Sequence, residues 1–182
     1  TGLPHVFEHA TLSGSEKYPS ADLFFNLSYQ TYNSYMNAST YDIRTSYPCA
    51  SYSEGQLLML ADFYTDSCLH PMVLEDESIF REEAWRYRMA STEDDLTIEG
   101  TVYSEMLGAL DLNRQAGFNA YQAAFPGSVV GMNQGGNPDH IPEMTWESLK
   151  NYHSLYYHPS NCMAYLYGQF DDYAAFLKLL DR

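Results

Sequence analysis

Apolar positions recur at helical spacing in several separate stretches of the chain. Leu57, Leu60, Ala61, Tyr64 and Cys68 fall three or four residues apart and predict one buried helix face. That helix starts at Ser53, which has capping-box spacing to Gln56, and stops at His70-Pro71. Residues 20–35 read as a helix with Leu23, Phe24 and Leu27 on one side, and 78–89 as another. Thr145 is placed to cap a helix that runs to Tyr157-His158-Pro159, and Asp171 or Asp172 to cap a last amphipathic helix over 174–180. Residues 36–40 and 45–51 read as strands joined by a turn around Asp42, 162–170 alternates like a further strand, and 91–99 reads as a charged connector. Strands interleaved with helices, including a hairpin, predict an α+β architecture with helices packed on a mixed, largely antiparallel sheet.

Composition adds limits. With 182 residues, 45% hydrophobic and 18% charged, the chain is long enough to bury one core, and 1–182 is expected to be a single domain. No apolar run approaches the roughly 20 residues of a membrane span. Nine Lys and Arg against 24 Asp and Glu give a net charge of −15, which argues against nucleic acid or an anionic membrane surface as partner. A solvated acidic surface accounts for most of these groups, and a basic peptide is the partner they favour. Cys49, Cys68 and Cys162 are odd in number and far apart, so they form no disulfide framework and are expected as buried small residues in a reducing compartment. On that basis the expected location is cytoplasmic, with room for a targeting segment ahead of Thr1. The 17 tyrosines are expected mainly in packing.

Candidate chemistry lies at the start of the chain. Leu3, Val6 and Phe7 supply the interior positions of a first helix, which leaves His5, Glu8 and His9 on another face. These residues read H-x-x-E-H, the inverse of the H-E-x-x-H zinc signature. Imidazoles at i and i+4 can reach one zinc ion while the carboxylate beside them stays free as a general base. A catalytic zinc needs a third protein ligand and an open position. Glu105, just inside a predicted helix, is the best candidate, but spacing alone does not separate it from Glu82 or Glu83. His70, His140, His153 and His158 lack metal-ligand spacing, and His70 and His158 precede prolines at helix ends, where capping explains them.

The stretch Gly2-Leu3-Pro4-His5-Val6-Phe7-Glu8-His9, followed by Gly14-Ser15-Glu16-Lys17-Tyr18-Pro19, resembles the active-site segment of the presequence-peptidase branch of the pitrilysin/insulinase family. Met36-Asn37-Ala38-Ser39-Thr40, Phe80-Arg81-Glu82-Glu83-Ala84-Trp85-Arg86-Tyr87, Val102-Tyr103-Ser104-Glu105-Met106, Gly135-Gly136-Asn137-Pro138 and Tyr157-His158-Pro159-Ser160-Asn161 resemble further family segments in the same order. The resemblance implies zinc held by His5, His9 and Glu105, with Glu8 as the base, and so selects Glu105 among the acids. It implies that the segment from Met36 to Thr40 is an edge strand that takes an extended peptide by strand addition, with Asn37 and Ala38 facing the substrate. An ordinary edge strand is the plainer reading of that segment. Glu83 is a candidate acceptor for a ligand imidazole. Ser104, Leu107 and Asn137 stand where Asn, Lys and Asp are usual, departures that touch neither ligands nor base.

The resemblance covers only the first catalytic portion of much longer enzymes. It implies a zinc-peptidase catalytic domain belonging to a longer multi-domain protein, which cleaves short unstructured, presequence-like peptides between two halves. The C-terminal half of the same enzyme is then a partner. The alternatives are a non-catalytic homologue that binds peptides or serves as a structural subunit, and a zinc whose role is structural.

Overall fold

The computed structural model describes residues 2–181. Its elements in chain order are α1 (Leu3–Thr11), α2 (Leu23–Gln30), β1 (Asn33–Met36), β2 (Ser39–Thr40), β3 (Thr45–Ser46), β4 (Cys49–Ser51) and α3 (Glu54–Leu69). There follow α4 (Glu77–Glu83), β5 (Arg86–Arg88), β6 (Thr97–Glu99), α5 (Thr101–Ala109), α6 (Leu112–Ala124), α7 (Trp146–Tyr156) and α8 (Tyr173–Leu180). The class is α+β. The strands form three short antiparallel ladders, β1 with β4, β2 with β3, and β5 with β6. The hairpin around Asp42 is therefore present. Its outer ladder pairs Met36 with Cys49 and its inner one pairs Thr40 with Thr45.

Helix α1 runs between two apolar clusters. Val6, Phe7 and Ala10 are fully buried with Val73, Phe80, Ala84, Val102, Met106, Ile141 and Leu149 from α4, α5, α7 and the turns between them. Beyond the end of α1, Leu12 joins Phe63 and Tyr64 of α3, with Leu23, Phe24 and Leu27 of α2 and Met36 of the hairpin packed around them. The indole N–H of Trp85 donates to the Met144 carbonyl at 3.0 Å and that of Trp146 to the Val73 carbonyl at 2.6 Å, so each large ring is buried with its polar edge satisfied. The Thr11 hydroxyl donates to the Ser67 carbonyl at 2.5 Å and ties α1 to α3. Gly2 opens α1 at φ 80°, and a Cβ there would lie 2.5 Å from Gly136 Cα, so only glycine permits this approach of the two segments.

Several caps match the sequence pattern. Ser53, Thr145 and Asp172 each accept a backbone N–H at the start of α3, α7 and α8. His70 closes α3 through its N–H to the Asp66 carbonyl, and His158 Nδ1 accepts from the Ser160 N–H at the start of a 3-10 turn.

Four expectations are corrected. The helix expected over 20–35 spans only α2, because the Asn33 carboxamide donates to the Leu27 and Ser28 carbonyls and ends it, and the chain continues as β1. The helix expected over 78–89 ends at Glu83. Residues 86–88 instead pair with 97–99 from the connector, and Glu99 faces Arg86 at 3.6 Å and Arg88 at 2.7 Å. Residues 162–170 alternate as a strand would, but no described strand lies beside them to complete a ladder, and Met163, Tyr165 and Tyr167 are exposed. Cys162 is accordingly exposed rather than buried. Sequence reasoning placed no element at 112–124, where α6 lies, capped by Asp111 accepting from the Arg114 N–H at 2.8 Å.

Candidate metal centre

Two turns of α1 place His5 and His9 side by side, with ring centroids 4.9 Å apart and planes near perpendicular. Packing α1 against α5 brings in Glu105, whose Oε2 lies 3.7 Å from His5 Nε2 and 3.6 Å from His9 Nε2. Donor atoms on these three side chains all lie within 4.8 Å of one another. Tetrahedral ligands about 2.0–2.2 Å from a shared zinc stand about 3.3–3.5 Å from each other, so Glu105 already lies within a few tenths of an ångström of ligand spacing from each imidazole.

The partners of the imidazoles decide which nitrogen each one offers. His5 Nδ1 is 3.1 Å from the Gly135 carbonyl, which can only accept, so Nδ1 carries the proton and the Nε2 lone pair is free. His9 Nδ1 lies 3.5 Å from Glu83 Oε2, again an acceptor, and its Nε2 is likewise left for a metal. Glu83 is itself held by the Ser13 hydroxyl, which donates to Oε1 at 3.1 Å. Burial would lower the pKa of His9, yet Glu83 and the other carboxylates nearby raise it; burial would raise the pKa of Glu83, yet His9, Ser13 and Thr101 lower it. This donor set, two imidazoles with oriented outer nitrogens and one carboxylate, fits a zinc ion. The Glu105 side chain is half exposed, so the site opens to solvent.

Glu8 stays outside the group of three. It is buried on α1, and its Oε2 accepts from the Thr40 hydroxyl of β2 at 2.5 Å. Thr40 Oγ1 lies in turn 3.2 Å from Thr45 Oγ1 across the hairpin. Behind this pair the hydroxyls of the half-buried Tyr47 and Tyr157 are 2.8 Å apart, and burial pushes both phenols above their usual range.

Glu82, left open as a ligand beside Glu83, is exposed and outside the group. Asn37 and Ala38 lie in the break between β1 and β2. The Asn37 N–H donates to the Pro48 carbonyl at 3.1 Å, the Asn37 carbonyl accepts from the Tyr64 hydroxyl at 2.9 Å, and the Ala38 N–H donates to Asn37 Oδ1 at 2.9 Å. His140 pairs with Glu143 at 3.3 Å, and His153 Nε2 lies 3.2 Å from the Cys68 carbonyl, both away from the metal group. Sequence reasoning missed Thr40, Ser13 and the Gly135 carbonyl. Its only hint of Gly135 was the Gly135-Gly136 pair, which lets the backbone come close: a Cβ on Gly135 would meet Met106 Sδ at 2.4 Å.

No family model matches the chain. It is 38% identical over 172 residues to a protein named HypA from Clostridium perfringens, covering 94% of this chain and 18% of that protein. It is 37% identical over 172 residues to presequence protease 1, chloroplastic/mitochondrial, of Arabidopsis thaliana, covering 94% of this chain and 16% of that protein. It is 37% identical over 186 residues to the mitochondrial presequence protease of Drosophila melanogaster, covering 100% of this chain and 18% of that protein. The crystal structure of pitrilysin superposes on 86% of this chain and 15% of its own with a TM-score of 0.57 and 25% identity. The chain thus spans less than a fifth of the length of these relatives. The expected cytoplasmic location is corrected: the relatives named for a compartment are mitochondrial or chloroplastic. Unpaired cysteines report a reducing environment, not a particular compartment.

Proposed function

The chain belongs to the pitrilysin/insulinase family of metallopeptidases, in its presequence-protease branch, and from that membership we propose that it carries the zinc site of an endopeptidase acting on short unstructured peptides. The observation that supports this reading is the convergence of His5, His9 and Glu105 on one point, with Glu8 beside them and outside the donor set. His5 and His9 would bind zinc through Nε2 and Glu105 through its carboxylate. When bound, zinc acidifies water and polarises a carbonyl.

The chain's own residues do the rest. The Gly135 carbonyl and Glu83 hold the imidazoles in the metal-binding tautomer. Glu8, with Oε2 engaged by Thr40, keeps Oε1 to take a proton from water and return it to the leaving amine. For an extended peptide to add beside Ala38, its carbonyl must replace Asn37 Oδ1 on the Ala38 N–H, an exchange of one hydrogen bond for another. In the proposed enzyme the remaining length seen in the relatives encloses the peptide, and the setting is an organelle of the kind those relatives are named for.

Two substitutions test the assignment. Glu8→Gln retains zinc and loses cleavage of a fluorogenic peptide by more than about a thousandfold, while Glu105→Gln weakens zinc itself. Zinc affinity equal to the parent's in both variants would remove Glu105 as a ligand. Zinc at one per chain with no chelator-sensitive cleavage by the full-length protein would leave a structural or peptide-binding role.

A further inference from the structure

A general base works only if the right oxygen faces the water, and α1 alone does not fix which oxygen of Glu8 does so. The carboxylate has two equivalent oxygens and three rotatable bonds. Its neighbours on α1 offer nothing to lock them, because His5 and His9 each use their inner nitrogen elsewhere. Among the described residues, the side chain hydrogen-bonded to the Glu8 carboxylate is Thr40, reaching across from the hairpin at 2.5 Å.

We propose that Thr40 is the positioning residue of the base, a hydroxyl that pins Glu8 Oε2 and so assigns the proton-accepting role to Oε1. The proposal rests on the reading of Glu8 as that base. The direction of the hydrogen bonds follows from the groups themselves. An ionised carboxylate has no proton to give, so Thr40 must donate to Glu8. Having spent its single proton, Thr40 Oγ1 can only accept at its other neighbour, so Thr45 donates to it across the 3.2 Å gap. The chain therefore runs one way, from Thr45 to Thr40 to Glu8.

Burial of the carboxylate makes this arrangement persistent. Glu8 is 7% exposed and Thr40 is half-buried in a hairpin that packs on α1, so water competes poorly for the carboxylate. When Glu8 takes a proton on Oε1, Oε2 remains an acceptor and the Thr40 contact survives. The carboxyl can thus protonate and deprotonate through a turnover without leaving its rotamer. Thr40 is adjacent to the segment where a peptide would add to the chain. Its backbone belongs to the substrate wall and its side chain to the base, and this couples docking of a peptide to the orientation of Glu8.

The test compares Thr40→Val, which keeps the shape and removes the hydroxyl, with Thr40→Ser, which restores it, in the zinc-loaded full-length protein. Thr40→Val should lower kcat about tenfold to a hundredfold at nearly constant KM and unchanged zinc affinity, and Thr40→Ser should recover most of the loss. With 13C-labelled glutamate, the Glu8 carboxylate resonance, identified by its disappearance in Glu8→Gln, should shift in Thr40→Val and return in Thr40→Ser. An unshifted resonance with parental kcat in Thr40→Val would overturn the proposal. So would a loss in Thr40→Val that Thr40→Ser does not repair, which would mark the residue as packing alone. If the parent binds zinc and cleaves nothing, the proposed function fails, while the resonance still decides whether Thr40 holds Glu8.

Discussion

Helices α1 and α6 invert what local sequence would predict. α1 has no side-chain cap and starts on a left-handed glycine, whereas α6 has Asp111 accepting the Arg114 N–H and is four residues longer, 13 against 9. By local criteria α6 is the better helix. Yet six residues of α1 are buried and none of α6 is, with Leu112 at 89% exposure and Tyr121 at 56%. Short helices are marginal on propensity alone, so α1 owes its order to the core around it. A helix that is to present two imidazoles to one metal must be fixed by packing, and α1 packs on α4, α5, α7 and the hairpin.

The largest test of this contrast removes one apolar side chain from each helix. Phe7 is fully buried, with Tyr157 at a ring-centroid distance of 4.3 Å and His153 and Tyr152 at 5.5 and 5.8 Å. Phe7→Ala should cost about 3–5 kcal/mol in denaturant unfolding, and Leu112→Ala no more than about 0.5 kcal/mol. A cost for Leu112→Ala above about 2 kcal/mol would break the comparison and show that α6 is covered in the full-length protein.

Thiol chemistry sharpens the same division on another pair of regions. Cys162 lies in the uncovered segment before α8, while Cys49 sits in the hairpin, where burial pushes its thiol up to about 11. At pH 8 about one Cys49 in a thousand is thiolate, so a disulfide reagent should label Cys162 promptly and Cys49 very slowly. The sign follows from the raised pKa: labelling of Cys49 should quicken about tenfold per pH unit until the pH nears its pKa. Cys68, raised still further by burial, should be the last to react. Prompt labelling of Cys49 at pH 8 would show that the hairpin opens.

The reasons why some features were legible in the sequence and others were not are physical. Helix α1 could be read because its apolar positions and its chemical ones occupy different faces, and α3 because Ser53 and His70-Pro71 mark both ends. The helix expected to run to Met89 was misread because Trp85 and the Arg side chains after it suit a helix face and a ladder equally; the choice was made by Glu99, eleven residues beyond Arg88. Residues 162–170 show the converse, since alternation describes a strand but cannot supply the neighbour that makes a ladder. In the site, His5, Glu8 and His9 are a contiguous pattern and could be read directly. Glu105 was separable from Glu82 and Glu83 only by resemblance. Thr40 and the Gly135 carbonyl reach Glu8 and His5 through approaches made by the folded backbone, which leave no spacing to read.

The smallest effects come from adjacent residues on one turn. Glu82 and Glu83 are chemically alike, but the end of α4 turns Glu83 toward His9 and leaves Glu82 in solvent. An imidazole whose Nδ1–H is held by a carboxylate presents Nε2 in one orientation and as a stronger base; without that partner the ring must be ordered as the metal binds. Glu83→Ala should therefore weaken zinc about tenfold to a hundredfold in competition with a chromophoric chelator, and Glu82→Ala should leave it unchanged. Ser13→Ala, one step further from the metal, removes the hydroxyl that holds Glu83 Oε1 while leaving the carboxylate in reach of His9, and should cost less than about tenfold. Equal losses for Glu82 and Glu83 would mean that the metal senses the net charge of α4. A graded series would mean that it senses one oriented carboxylate, the outcome expected from the 3.5 Å contact between Glu83 and His9 Nδ1.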